Sequence, residues 1–314
     1  MDYNVLLYYN FVPVPDSEAA REEHFALCES LHLKGRILIA KEGINGTVSG
    51  LKADTDAYRE WMKNHPIFKD TEFKIDEYHT HTFLKLHVRV KNEIVRLNIP
   101  EAVYKFGTTP HVTPEEFLKA VKEAQNNPDI VILDARSAYE FSVGKFKGAV
   151  TLDIDNFRDL PEQRAELEKL KGKTIYTYCT GGIKCEKVSG WLKETFGAEE
   201  IFQLHGGIVH YAKVTGGEDF EGQCYVFDQR VVVPVNQVNP SVVGKCGVCG
   251  NPTEKMINCA NAYCNEHFTI CETCFHELEG CCSTACMESP RRRAFNEDGY
   301  FLRGVNSKIY VNEP

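Results

Sequence analysis

Thr174-Ile175-Tyr176-Thr177-Tyr178-Cys179-Thr180-Gly181-Gly182-Ile183-Lys184-Cys185-Glu186-Lys187 is the stretch on which the fold turns. Its first five residues are β-branched or aromatic, as in a buried strand. Two glycines break the run, and from Gly182 to Phe196 the pattern is helical. A buried strand of the same kind, Ile130-Val131-Ile132-Leu133, precedes it, and a second helical stretch runs from Gly207 to Val214. Strands alternating with helices imply a mainly parallel sheet with helices on both faces, and ligands of such sheets gather at the carboxyl ends of the strands. Cys179 stands at such an end. The amides of Thr180, Gly181, Gly182, Ile183 and Lys184 can turn inward as an anion nest, and the helix start adds partial positive charge. Both favour thiolate over thiol at Cys179, with the Lys184 ammonium adding to the field.

A phosphatase-type loop carries arginine six positions after its cysteine. Here that position is Cys185, which disfavours a phosphoryl cradle. Cys185 is open to two readings. It is a second thiol able to take over a persulfide or close a reversible disulfide with Cys179, or a small apolar residue packing the helix start.

Upstream, residues 1–93 read as a separate α/β unit. The apolar run Val5 to Val12 is a strand ended by Pro13 and Pro15, and Asp16 or Ser17 caps a helix reaching His32. Strands Arg36–Ala40 and Gly46–Ser49, a helix from about Asp54 to Asn64 and further strands within 72–91 complete a ferredoxin-like order, with the helices on one face of the sheet. In Phe83 to Lys91, Leu84, Leu86, Val88 and Val90 alternate with Lys85, His87, Arg89 and Lys91. The second set lies on the sheet's open face, where Lys85, Arg89 and Lys91 are either phosphate contacts or an ordinary solvated surface. His79, His81 and His87 are candidates for an iron triad, or simply polar strand positions. Residues 94–127 read as a connector with Pro100, Pro110 and Pro114 and one helix capped by Thr113.

After a strand expected at Val226–Val233, the chain offers Cys246-x2-Cys249, Cys259-x4-Cys264, Cys271-x2-Cys274 and Cys281-Cys282-x3-Cys286. Four close pairs supply two sites of four cysteines each, and thiolate softness favours two structural zinc ions over an iron–sulfur cluster. A tract so poor in aliphatic residues needs metal to fold. The pairs combine in an order the spacing leaves open, interleaved pairing joining first with third and second with fourth. Cys281 is the spare ninth cysteine, and His267 and His276 are possible replacement ligands. Arg291-Arg292-Arg293 follows at once, either as a phosphate-binding cluster or as a solvated run.

The remaining constraints are broad. The chain has 314 residues and a net charge of -9, which excludes binding of nucleic acid by bulk positive field. No stretch reaches the ~18 apolar residues of a membrane span, and the N-terminus lacks a signal peptide's basic and apolar blocks. A reducing cytoplasm is the expected compartment, so thirteen cysteines point not to disulfides but to metal where they crowd near the C-terminal end, and to packing or catalysis where they stand alone. No dinucleotide-binding glycine fingerprint is present, and no flavin, haem or nicotinamide is expected.

Asp134-Ala135-Arg136-Ser137-Ala138-Tyr139-Glu140-Phe141, Gly144-Lys145-Phe146-Lys147-Gly148-Ala149, the Cys179–Lys187 loop and Leu204-His205-Gly206-Gly207-Ile208 resemble a rhodanese domain, in order. With Lys34 to Thr47 and Arg89 to Val95, the whole chain resembles the bacterial tRNA uridine hydroxylase family (TrhO type). Lys184 departs from that family's common arginine, keeping the charge but losing the planar fork. The resemblance implies oxygen-dependent conversion of wobble uridine to 5-hydroxyuridine in the anticodon loop of tRNA. Cys179 would be the essential cysteine, carrying a possible persulfide, while Asp134, Arg136 and Glu140 would brace its loop. Lys41, Glu42 and Asn45 would reach the same pocket, with Lys41 and Asn45 counted among the tRNA contacts, although turn architecture accounts for Gly43, Asn45 and Gly46 equally simply. Two other functions stay open: a rhodanese-type sulfurtransferase, and a non-catalytic tRNA-binding or redox-sensing module. The expected organisation is thus a ferredoxin-like (acylphosphatase-like) domain over 1–93, the connector 94–127, a rhodanese domain over 128–225 and a cysteine-rich metal-binding region over 226–314.

Overall fold

A computed structural model describes residues 1–99, 107, 109–198 and 200–295. Pro100 of the expected connector and residues 296–314 of the C-terminal region lie outside them. The N-terminal unit runs β1 (Tyr3–Phe11), α1 (Ser17–Ser30), β2 (Lys34–Ala40), β3 (Gly43–Leu51), α2 (Lys52–Asn64), β4 (Glu72–Tyr78) and β5 (Leu86–Val90), in sheet order β4-β1-β3-β2-β5. This is the expected ferredoxin-like antiparallel sheet, extended by β5, which pairs parallel to β2. Asp16 caps α1, its carboxylate accepting the Ala19 amide at 2.9 Å. Alternation sends Leu6, Tyr8, Ile37, Ile39, Ile44 and Val48 under the helices to Tyr58 and Met62. Leu7, Tyr9, Arg36, Leu38, Asn45 and Thr47 fall on the opposite face.

The cationic strand is shorter than its alternation suggested. It begins at Leu86, and Leu84 is exposed, because pairing with β2 starts only at Gly35–Leu86. His87 sits beside Arg36 and Arg89 beside Leu38, so this row does share the second face.

The central unit comprises β6 (His111–Val112), α3 (Pro114–Ala124), β7 (Ile130–Asp134), α4 (Ala138–Phe141), β8 (Gly144–Phe146), a 3-10 turn at Phe157–Gln163, α5 (Arg164–Glu168), β9 (Thr174–Tyr178), α6 (Ile183–Phe196), β10 (Ile201–Leu204), α7 (Gly207–Thr215), β11 (Phe220–Tyr225) and β12 (Val232–Pro234). The parallel sheet has the order β6-β10-β9-β7. On one face Val131, Leu133 and Ile175 meet Val188, Trp191 and Leu192 of α6; on the other Ile132 and Tyr178 meet Phe117 of α3 and Ile208 and Tyr211 of α7. The segment expected as a connector therefore supplies an edge strand and a core helix, with the Thr113–Glu116 capping box formed. Its single amphipathic helix carried no local sign of the sheet it covers.

No strand spans Val226–Val233. A turn occupies 226–231, with Val231 at φ +61° and the Asp228 carboxylate accepting both the Arg230 amide and its guanidinium. That ion pair folds back a run whose apolar residues alone read as a strand. The C-terminal region holds β13 (Met256–Asn258), β14 (His267–Thr269), α8 (Glu272–Glu277) and α9 (Thr284–Met287). Among the described residues no helix is long and apolar enough to cross a membrane.

Candidate active site and cysteine clusters

Cys179 follows β9, and α6 begins four residues later behind Gly182, whose φ of +101° lets the chain turn back over the sulfur. The Gly182 amide donates to Cys179 Sγ at 3.1 Å. Burial pushes the thiol's pKa up. The hydrogen-bonded Cys185 thiol, the Lys184 ammonium and the amides of Lys184 and Gly182 outweigh that, and the net direction is down. Cys185 moves the other way, raised by burial and by its neighbour. Of the loop's five amides, those of Gly182 and Lys184 thus face the sulfur, and the Cys185 thiol is hydrogen-bonded to it.

The residues around the loop are tied by buried ion pairs. Asp134 takes Arg136 Nη2 at 2.7 Å and the Tyr178 hydroxyl at 2.6 Å, and Arg136 also donates to Gly144 O at 2.7 Å. Tyr178 is the residue before Cys179. Glu140 accepts the Ser137 amide at 3.0 Å and is ion-paired with Lys184, so the loop's own cation is anchored at its far end. A forked arginine is not required for that single carboxylate contact. At the other end of the loop, the Ile208 and Val209 amides of α7 donate to Cys179 O and Thr180 O, at 3.0 and 3.1 Å.

The second face of the N-terminal sheet is not open to solvent throughout. It lies over the cysteine loop. A Cβ on Gly181 would come within 2.9 Å of Leu7, and one on Gly182 within 2.9 Å of the Tyr9 hydroxyl, so a larger residue at either place would push the roofing side chain aside, and at Gly182 would also be strained by its φ of +101°. Between sheet and loop lies a cavity of about 800 Å³, in the range of nucleotide-sized ligands. One wall holds Cys179, Thr180, Gly181, Ile183 and Lys184; the other holds Tyr9, Arg36, Leu38, Asn45 and Thr47. Phe83, Phe227 and a strap over 91–98 close the sides.

Two side chains of α6 join the units. Glu186 accepts the Tyr9 hydroxyl at 3.1 Å, pairs with His111 Nε2 at 3.0 Å, and accepts Gln203 Nε2 at 3.2 Å. Burial, Glu186 and the two cysteines keep the Tyr9 phenol protonated. Lys187 has no exposed surface and pairs with Glu42 at 2.9 Å and Glu93 at 2.7 Å. Glu42 also accepts the Ile94 amide, and Glu93 those of Leu97 and Asn98, which fixes the strap. Sequence reading singled out neither Tyr9, Glu186 nor Lys187. Their signal was a polar pair directly after a glycine loop, on a helix otherwise facing the core.

Of the expected contact residues, Asn45 and Lys91 line the cavity, Lys85 and Arg89 are exposed on β5 and just before it, and Lys41 is exposed beside buried Glu42. Arg291–Arg293 turn back on the cysteine-rich unit. Arg291 lies over Tyr263, Arg292 pairs with Glu279, and Arg293 donates to Cys259 O at 2.9 Å and Asn265 Oδ1 at 2.8 Å. The run is therefore neither plainly solvated nor free. His79, His81 and His87 form no three-ligand cluster among the described residues; His81 bonds Ser49 O at 3.0 Å and His79 packs on Tyr78.

The cysteine pairs interleave. Cys246, Cys249, Cys271 and Cys274 form one group and Cys259, Cys264, Cys282 and Cys286 the other, with the sulfurs of each group within 4.8 Å of one another. Each group offers four thiols that can hold one metal ion. Sulfurs placed tetrahedrally ~2.3 Å from an ion lie ~3.8 Å apart. Cys249–Cys271 at 3.6 Å, Cys264–Cys282 at 3.8 Å and Cys282–Cys286 at 3.6 Å fit that spacing. Cys281 is buried outside both groups, His267 stacks on Tyr139, and His276 pairs with Glu272.

Fold and site together define a rhodanese-type domain roofed by an acylphosphatase-like sheet and followed by a cysteine-rich unit. Family models match accordingly: the UPF0176 acylphosphatase like domain over residues 3–94, the Rhodanese-like domain over 117–213 and the Rhodanase C-terminal over 221–287. A Cytophaga hutchinsonii protein named tRNA uridine(34) hydroxylase is 49% identical, over 97% of this chain and 96% of its own. A Bacillus pumilus protein of the same name is 49% identical, over 99% and 96%, and one from Listeria welshimeri 52%, over 84% and 83%. The chain belongs to the tRNA uridine(34) hydroxylase family.

Proposed function

We propose that this protein hydroxylates C5 of the uridine at position 34 of tRNA, with molecular oxygen as co-substrate and the Cys179 sulfur as nucleophile. The observation that carries the reading is a buried Cys179 sulfur that accepts the Gly182 amide at a helix start, its pKa drawn down by the amides and Lys184, on the floor of a cavity roofed by a second domain. Position 34 lies in the anticodon loop, where an unpaired base leaves its stack at low cost. Addition of the Cys179 thiolate to C6 moves an electron pair towards O4 and makes C5 electron-rich. C5 takes one oxygen atom; loss of its proton and expulsion of the sulfur restore the ring. The second oxygen atom needs two electrons to become water. Cys179 and Cys185 supply two on closing to a disulfide, which a cellular thiol reopens.

Asp134, Arg136 and Glu140 position the loop. Lys85, Arg89 and Lys91 meet phosphates of the anticodon arm, with Lys41 further out and Arg291–Arg293 contributing only where their partners release them. Two structural zinc ions hold the C-terminal unit, and the work is done in the cytoplasm, where tRNA is. Mass spectrometry of wobble nucleosides from cells with and without the gene tests the reading. Loss of 5-hydroxyuridine derivatives supports it, loss of thiolated uridine indicates a sulfurtransferase, and no change indicates a non-catalytic module. A tRNA–protein adduct that persists in Cys179→Ser would rule out the nucleophile.

A further inference from the structure

Asn45 is a polar side chain of the cavity's upper wall whose orientation is fixed by the protein. Its Nδ2 donates to Ile94 O at 2.8 Å. A backbone carbonyl only accepts, so this bond decides which end of the amide is nitrogen and turns Oδ1 the other way. Among the described residues Oδ1 has no partner, and it is not closed off from solvent. The residue is also close to the chemistry. Its Cα pairs with that of Tyr9, one strand away, and the Tyr9 hydroxyl lies 2.9 Å from where a Cβ on Gly182 of the cysteine loop would stand.

An immobilised acceptor lining a nucleotide-sized space selects for a donor. Uracil presents one ring donor, N3–H, between two carbonyls. Cytosine has an unprotonated N3 there, which would set lone pair against lone pair. We propose that Asn45 is the specificity-determining residue of this site, accepting the uracil N3–H through Oδ1 and thereby rejecting cytidine. The inference rests on the reading of the cavity as the site of uridine hydroxylation. Leaving one such hydrogen bond unmade in a closed site reduces reaction or binding roughly 10- to 100-fold.

The test uses the full-length protein and two anticodon stem–loop RNAs, one with uridine and one with 3-methyluridine at position 34. Turnover is read by mass spectrometry and affinity by fluorescence anisotropy. The parent protein should favour uridine at least ~10-fold in both. Asn45→Ala should bring the ratio close to one, because the acceptor is gone and space for the methyl group is made. Asn45→Asp keeps an acceptor but loses the bond to Ile94 O, and should preserve the preference at reduced turnover. A merely structural role would weaken both RNAs alike and leave the parent's ratio in Asn45→Ala, which overturns the inference. The affinity ratio gives this answer even where the variant is inactive. A parent protein that binds the uridine RNA but never hydroxylates it removes the functional reading, and the inference with it.

Discussion

Replacing Lys187 by methionine removes the cation from the junction of both domains and leaves two carboxylates facing a cavity wall. The Lys187 side chain is 0% exposed, Glu42 2% and Glu93 20%. Removing one partner of a buried ion pair costs ~3–5 kcal/mol. Glu93 can turn partly to water, so the lower end applies, about 3 kcal/mol. For a chain of this size that is a fall in Tm of roughly 6 °C at about 2 °C per kcal/mol. The pH dependence gives the loss its signature. In the parent, burial raises the Glu42 pKa above the ordinary 4.5, against the pull of Lys187 and the Ile94 amide. At Glu93 burial also pushes up, but Lys187 with the Leu97 and Asn98 amides wins, and the net direction is down. Without Lys187 both carboxyls rise. Glu42 then loses more stability as pH rises through its folded pKa, and the stability Glu93 supplied above its unfolded pKa is gone. The variant's deficit should be full at neutral pH and shrink as the medium is acidified towards the carboxylate range. Calorimetric melting across that range measures it. An unchanged Tm, or a deficit indifferent to pH, would refute the reasoning.

Three further outcomes follow from the same geometry. Cys179 should be alkylated by iodoacetamide at a rate that levels off below the ordinary thiol value of 9.0, because its net shift is downward; a rate still climbing through that value contradicts the amide nest. Gly182→Ala places a methyl 2.9 Å from the Tyr9 hydroxyl at a φ of +101° and should cut hydroxylation at least ~10-fold, from strain of ~1–3 kcal/mol, with native-like circular dichroism. Purified protein should carry two zinc ions by elemental analysis; Cys271→Ser should lose one, whereas Cys281→Ser, outside both clusters, should keep two.

What could be read from the sequence was what is local. The β-branched run before Cys179, the two glycines and the helix after them needed no distant partner, and four close cysteine pairs announced two groups of four thiols able to hold metal, whatever their pairing. The order of strands and helices in the first domain was equally visible, since each carries its own period. What stayed hidden depends on contacts between residues far apart in the chain. Tyr9 meets Glu186, and Lys187 meets Glu42, only after two finished domains have docked. The cationic row of β5 was placed on the correct face, but nothing in its alternation says that the same face, further across the sheet, covers a thiol. The Val226–Val233 run shows the opposite error: apolar residues suggested a strand, and one aspartate–arginine pair bent it into a turn.

A methyl group on Gly181 or Gly182 would come within 2.9 Å of Leu7 or the Tyr9 hydroxyl, which binds the histories of the two domains together. A change in the size of either roofing side chain alters the space over the sulfur, and a side chain gained at Gly181 or Gly182 crowds a strand encoded at the start of the message. Exchanging either half with that of another rhodanese protein should therefore yield chimaeras that fold and remain inert, unless the matching half travels with it.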